Sequence, residues 1–193
     1  TGSNGTISGA TFDSELGNWL NFDGIDDFVL IPATSTTPVD FSAKNHTIEA
    51  WINASNIDHL NLQILSKYGT SDATRSFIFS IDNASKKLRL FERVGSVSHY
   101  HLGSTVMVQD KWYHVSVTRS SGQVKLYLNG ELDNTISTTV TPNDGGSQSI
   151  SIGRHASSTA KYFHGKISQV RIYSSVLTQD QIRQNYNFTK PNY

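Results

Sequence analysis

Cysteine is absent from this chain of 193 residues, which excludes a disulfide framework, Cys-ligated zinc and a thiol nucleophile and leaves the redox compartment open. An excess of charge of one sign is also lacking. Sixteen Lys and Arg balance sixteen Asp and Glu, and no basic run is interleaved with aromatics, so the electrostatic footprint of a nucleic-acid binder is missing. Apolar stretches reach only a handful of residues, against the roughly 20 that a membrane-spanning helix needs. Glutamate is scarce: Glu15, Glu49, Glu92 and Glu131 are the only four. Sugar hydrolysis or elimination needs two carboxylates about 5–10 Å apart, or a base with a neutraliser, and no Asp can be paired with Glu49 by sequence. There is no Gly-x-Ser-x-Gly elbow and no phosphate-cradling glycine loop. The chain begins at Thr1 with no Met, signal peptide or acylation motif, which reads as a processed product or a piece of something larger.

What the chain does have is alternation with period 2. Residues 28–32, 47–53, 77–82, 87–93, 112–119, 123–128, 149–153 and 166–173 read as strands. Phe77, Phe79 and Ile81 alternate with Ile78 and Ser80, as expected when one sheet face is buried. Asn129-Gly130 lies between two such runs and predicts a hairpin, because a type I′ turn needs positive φ at both centres. A capping box, Thr178-Gln-Asp-Gln181, with Asp180 in the first turn predicts one short helix over about 179–185. Many strands and one helix make an all-β, two-sheet antiparallel sandwich. Residues 1–16 read as a leader that orders only against the rest, and 17–193 as the domain. Trp51 and Trp112 fall within strand phrases and read as core or half-core anchors; Trp19 is ambiguous, and Val106 and Met107 read as ordinary strand contacts.

Five phrases stand in order: Leu20-Asn-Phe-Asp-Gly-Ile-Asp-Asp-Phe-Val29, Thr47-Ile-Glu-Ala-Trp-Ile52, Lys111-Trp-Tyr-His-Val-Ser-Val117, Leu126-Tyr-Leu-Asn-Gly130 and Phe163-His-Gly-Lys-Ile-Ser-Gln-Val-Arg-Ile-Tyr173. Together they resemble the laminin G-like, concanavalin A-like jelly-roll domain, in register from about residue 17 to residue 186. The resemblance implies a recognition module of a secreted, cell-surface or virion protein, mostly without catalysis, although enzymes share the sandwich.

The turn Asp23-Gly24-Ile25-Asp26-Asp27 concentrates three carboxylates, and a hard cation such as calcium takes 6–8 oxygens from carboxylates and carbonyls. In calcium-binding relatives of the resembled group such a turn meets the start of the last long strand, so Asp23, Gly24, Asp26 and Ser168 form the expected structural calcium set. Ser168 and Gln169 stand where an acid would help. The plain alternative is an Asx turn with solvated acids.

Loops at the ends of a sandwich carry function. Three stretches are rich in polar and aromatic groups: 93–102, 154–164 and 56–75. From them His99, Tyr100, His101, Arg154, His155, Tyr162, Tyr68 and Arg75 form the expected ligand set. Aromatic faces stack on sugar C–H surfaces while Asn, Arg, His and Asp bond hydroxyls. His99 and His101, two apart on a strand, share a side and could also ligate zinc. Five Asn-x-Ser/Thr sites, at Asn4, Asn45, Asn53, Asn83 and Asn187, hint at secretion. The leading expectation is therefore a non-catalytic carbohydrate-binding or adhesion module, part of a larger multidomain or fibre protein, whose partner is a glycan or glycoconjugate. A structural or protein-interaction module is the second, and a glycan-active hydrolase or lyase using Glu49 the third.

Overall fold

The computed structural model describes residues 4–13, 18–33, 41–42, 45–60, 62–156 and 161–190. The strands in chain order are β1 (Thr6–Ser8), β2 (Thr11–Asp13), β3 (Trp19–Asp23), β4 (Phe28–Ile31), β5 (His46–Ala54), β6 (Gln63–Tyr68) and β7 (Arg75–Ile81). They continue as β8 (Lys87–Val94), β9 (Val97–Val106), β10 (Trp112–Arg119), β11 (Gln123–Leu128), β12 (Glu131–Ser137), β13 (Ile150–Ile152) and β14 (His164–Tyr173), followed by helix α1 (Gln179–Thr189). They form two antiparallel sheets, ordered β1-β4-β13-β6-β7-β8-β9 (the first sheet) and β12-β11-β10-β5-β14-β3-β2 (the second sheet). The sandwich predicted from alternation is the fold observed.

Between the sheets, Ile48, Ala50 and Ile52 of β5 and Val115 and Val117 of β10 pack in one buried cluster with Phe77, Phe79, Ile81, Leu88 and Leu90. Each Val, Leu, Ile or Phe side chain among them, fully buried, contributes about 1.5–3 kcal/mol. The hairpin forms where predicted: Asn129 and Gly130 have φ of 53° and 83°. The helix also starts as predicted. Thr178 Oγ1 accepts from the Gln181 amide while Gln181 Oε1 accepts from the Thr178 amide. It runs one turn further than the capping signal alone indicated, because its far end is held by tertiary bonds. Asn185 donates to Glu49 (2.8 Å), and the Trp51 indole donates to Thr189 (2.9 Å).

Strands β1, β2, β3, β6 and β9 were not expected from alternation. Residues 93–102 are the end of β8 and most of β9, not a loop. Polar residues hid β9, an edge strand whose outer amides at Ser104 and Thr105 donate to the Asp133 carboxylate. Residues 56–75 include β6, whose polar Ser66 and Lys67 defeat a period-2 reading. Residues 6–8 and 11–13 of the expected leader join the two sheets as β1 and β2, while the 16/17 boundary lies outside the described residues. Trp51 is buried, but beneath α1 on the outer face of the second sheet, stacked on Tyr186 at 5.5 Å. Trp112 is half-buried and tilts against Trp19 at 5.4 Å. Met107 is buried, whereas Val106 is exposed.

One ionic network crosses the core. Arg119 of β10, fully buried, donates from Nε to Glu92 of β8 at 2.9 Å, and His101 Nε2 lies 2.9 Å from the other Glu92 oxygen. The remaining Arg119 nitrogens donate to the carbonyls of Ser120 and Val140. Burial pushes the Glu92 carboxyl up, but the His101 bond and the Arg119 charge outweigh it and hold its pKa below the ordinary value. Deleting one partner strands a buried charge, so Glu92→Ala should lower unfolding stability by about 3–5 kcal/mol in urea titration. An unchanged midpoint would contradict the network's role.

Under α1, His114 has neither ring nitrogen bonded and stands 3.9 Å from Glu49, too far for a hydrogen bond. Burial first, then the Arg171 charge, lowers its pKa from 6.5 to about 4. Burial likewise raises that of Glu49, and because the imidazole is uncharged at neutral pH the contact is not an ion pair. The unfolded chain protonates His114 first, so stability falls as pH drops from 6.5 to about 4, by on the order of 3 kcal/mol. Glu92, whose folded value is depressed, adds a further loss below its unfolded value of 4.5. In denaturation across this range His114→Gln should show a shallower decline than the wild type; equal slopes would refute the assignment.

Candidate functional site

The two outer faces of the sandwich differ. That of the second sheet carries α1 over Glu49, Trp51 and His114, and that of the first sheet forms a groove. Phe77, Phe79 and Leu90 point inward, so pleat alternation turns Ile78 and Phe91 outward. The register aligns them in a row across four strands: Ser66 opposite Ile78, Ile78 opposite Phe91, Phe91 opposite Tyr100. A second row, Gln63, Ser80, Arg89 and Leu102, runs beside it.

The segment after β13 makes one wall. Ser66 Oγ donates to the Arg154 carbonyl (2.9 Å) and accepts from the Ala156 amide (3.2 Å), and the His155 amide donates to the Lys161 carbonyl (2.9 Å). The resulting cavity of about 250 Å³ is lined by Gln63, Tyr68, Ile78, Arg89, Phe91, Ser98, Tyr100, His155 and Lys161. Four rings run through it without a break: His155 to Tyr68 at 4.8 Å, Tyr68 to Phe91 at 5.6 Å, and Phe91 to Tyr100 at 5.1 Å. Tyr100 is 60% exposed, although an aromatic of its size gains by burial. It is the rim of the groove.

Arg89 donates from Nε to Ser80 (3.1 Å) and from Nη1 to Asp82 (2.9 Å). At the Tyr68 end, Arg75 lies 5.5 Å over the phenol ring, and Arg75 and Arg93 share Asp72 at 3.0 and 2.8 Å. The Arg93 bond, followed by the Arg93 and Arg75 charges, holds the Asp72 carboxyl below its usual range despite some desolvation. Burial, then Lys161 and Arg75, lowers His155 from 6.5 to about 4, so it is a neutral ring at pH 7. Burial also raises the Tyr68 phenol, which keeps it a hydrogen-bond donor.

Of the eight expected ligand residues, Tyr68, Tyr100 and His155 line this groove, and Arg75 flanks it through Tyr68. His99 and His101 lie on the opposite side of β9 from Tyr100; His101 is buried against Glu92, which removes it from both the ligand set and a zinc pair. Tyr162 is buried and bridges to Arg154. Arg154 stacks its guanidinium 3.5 Å over Phe28. Gln63, Arg89, Phe91 and Ser98 were missed because they lie on strands, where alternation marks an outward face but not whether a wall rises beside it.

At the acidic turn, Asp23 accepts from the amides of Ile25 (2.8 Å) and Asp26 (3.3 Å), which is the Asx turn, and Asp27 accepts from the Asp23 amide (2.8 Å). Oxygens of Asp23, Asp26 and Asp27 lie within 4.8 Å of one another. Burial, then Asp23 and Asp26, raise the Asp27 pKa, opposed by the amide bond. Three oxygen donors at this spacing fit a hard cation. Ser168 is not among them: the residue opposite Asp23 is His164, and Ser168 donates instead to the Asn18 carbonyl (2.8 Å). The strand register puts it four residues further along β14.

Among curated proteins, none is similar enough in sequence to count as a match. Among solved structures, the binding domain of botulinum neurotoxin DC in complex with rat synaptotagmin II is 13% identical with a TM-score of 0.76, over 97% of this chain and 48% of that one. The binding domain of Paraclostridial Mosquitocidal Protein 1 is 14% identical with a TM-score of 0.75, over 96% and 47%. Domain 4 of AbnA, an extracellular arabinanase from Geobacillus stearothermophilus in complex with arabinotriose, is 18% identical with a TM-score of 0.68, over 94% and 81%. These likenesses are of fold, and the chain spans less than half of the two toxin domains. The sequence model of the concanavalin A-like lectin/glucanases superfamily matches residues 23–183, and the chain belongs to that family.

Proposed function

We propose that the chain is a non-catalytic carbohydrate-binding module and that the groove on the first sheet is its binding site. The observation that carries this reading is the run of four rings that ends at exposed Tyr100, flanked by the hydrogen-bonding groups of Gln63, Arg89 and Ser98. Ring faces take the apolar C–H side of a sugar while polar groups fix its hydroxyls. At about 250 Å³ the cavity suits one sugar unit of a longer glycan. No carboxylate lines it, and Glu49 is fully buried and bonded to Asn185 of α1, so the described residues offer no paired acids for hydrolysis there. The domain solved with arabinotriose supports the reading by fold, as a neighbour. Its setting in an extracellular, cell-surface or virion adhesion protein belongs to the same proposal. The described residues contain no helix long and apolar enough to cross a membrane.

A glycan array probed with the purified chain should show selective binding. Tyr100→Ala should weaken the strongest hit at least about tenfold, equivalent to about 1.4 kcal/mol, with unchanged circular dichroism. Undiminished binding by that variant would place the site elsewhere.

Calcium at Asp23, Asp26, Asp27 and the Gly24 carbonyl is part of the same proposal, as a fastening for the β3–β4 turn. Saturating calcium at about 100 times its Kd should add about 2.7 kcal/mol and raise Tm by roughly 5–10 °C relative to chelator, and Asp27→Asn should abolish the shift. Equal Tm values in calcium and chelator would remove the ion from the account.

A further inference from the structure

The whole chain is electrically neutral, with sixteen charges of each sign, but the groove is not. Among the described residues, four cations surround it. Arg89 and Lys161 line the cavity, and Arg75 and Arg93 stand at its Tyr68 end. Two carboxylates answer them: Asp82 on Arg89, and Asp72 shared by Arg75 and Arg93. Four against two leaves a local excess of two positive charges. No carboxylate among the described residues pairs with Lys161, and Arg89 uses only Nε and Nη1 internally. Arg89 is nine-tenths buried, where a charge acts through a lower dielectric than at the surface.

From this we infer that the groove takes an anionic saccharide, a sugar unit whose carboxylate or sulfate meets Lys161 and Arg89 while its ring lies along Tyr68, Phe91 and Tyr100. This rests on the carbohydrate-binding reading above and adds the ligand's charge to it. His155 responds to the same positive field. After burial, the causes that lower its pKa include Lys161, Arg75 and Arg89. A neutral imidazole there adds no charge of its own to the groove. Tyr68 carries the Arg75 guanidinium near its ring, which extends the cationic surface along the aromatic wall. Lys161 and Arg89 would supply charge-assisted bonds, stronger than those to a neutral hydroxyl.

The test uses the intact chain on an array of neutral, carboxylated and sulfated glycans, followed by titration calorimetry of the strongest hit. Each acidic hit is compared with its own uncharged counterpart: the methyl ester of a uronic acid, or the desulfated sugar. The inference expects acidic glycans to dominate, and neutralising the group to cost at least tenfold in affinity. Lys161→Ala should weaken the acidic ligand several-fold and leave its neutral counterpart unchanged, while Lys125→Ala, a surface lysine of β11 in the second sheet, changes neither. Hits confined to esterifiable sugars would assign the group as carboxylate, and hits confined to desulfatable ones as sulfate; either supports the inference. If the tightest ligands are neutral and Tyr100→Ala abolishes their binding, the charge assignment fails and the carbohydrate-binding reading stands. If Lys125→Ala weakens acidic ligands as much as Lys161→Ala does, the binding is diffuse electrostatics and the inference fails. A folded chain that binds no glycan overturns both.

Discussion

The bond between His101 and Glu92 determines what β9 shows to solvent. Glu92 is fixed in the core by Arg119, which reaches it from the opposite sheet, so its second oxygen is available at one position only. Once His101 has turned inward to it, the pleat turns Tyr100 outward at the next residue. A slip of one residue along β9 would bury Tyr100 and expose the histidine. The edge strand has few apolar residues to specify its register, and this buried hydrogen bond does so instead. Such networks are often no more stabilising than a well-packed apolar core, and their best-attested use is in fixing register. Here that register places the outermost ring of the groove.

The same sandwich treats its two outer faces in opposite ways. On the second sheet, α1 covers Glu49, Trp51 and His114 and is held by Asn185 and Thr189. On the first sheet the 154–156 segment crosses only part of the face, bonded through Ser66, and leaves a groove beside it. Residues of similar chemistry therefore meet different fates. Trp51 and His114 form packing beneath a helix, whereas Tyr68, Phe91 and Tyr100 line the groove. The charged residues follow the same division, with Arg89 and Lys161 on the open face.

How much of this was legible in the sequence depended on the range of each signal. The Asn129-Gly130 hairpin and the Thr178–Gln181 cap are local, and both were readable. Strands with a clean apolar face, such as β7 and β10, were readable too. Strand β9 was not, since its most buried inward residue is a polar histidine, His101, held by Glu92 on the neighbouring strand and not by apolar packing. Tyr68, Tyr100 and His155 were legible as candidates from their chemistry, while Arg89 and Phe91 were hidden because a strand residue becomes a site residue only when a remote segment builds a wall next to it. Ser168 failed as a metal ligand for a related reason: a register of four residues separates it from the acidic turn, and no composition signal carries register.

Amide chemical-shift mapping locates the bound ligand relative to the open face of the first sheet. With assigned resonances and the best glycan titrated in, the largest shifts should fall at Tyr68, Phe91, Tyr100, His155 and Lys161. Shifts concentrated instead around Trp19 and Trp112 on the second sheet, with the groove silent, would rule out the first sheet as the binding face.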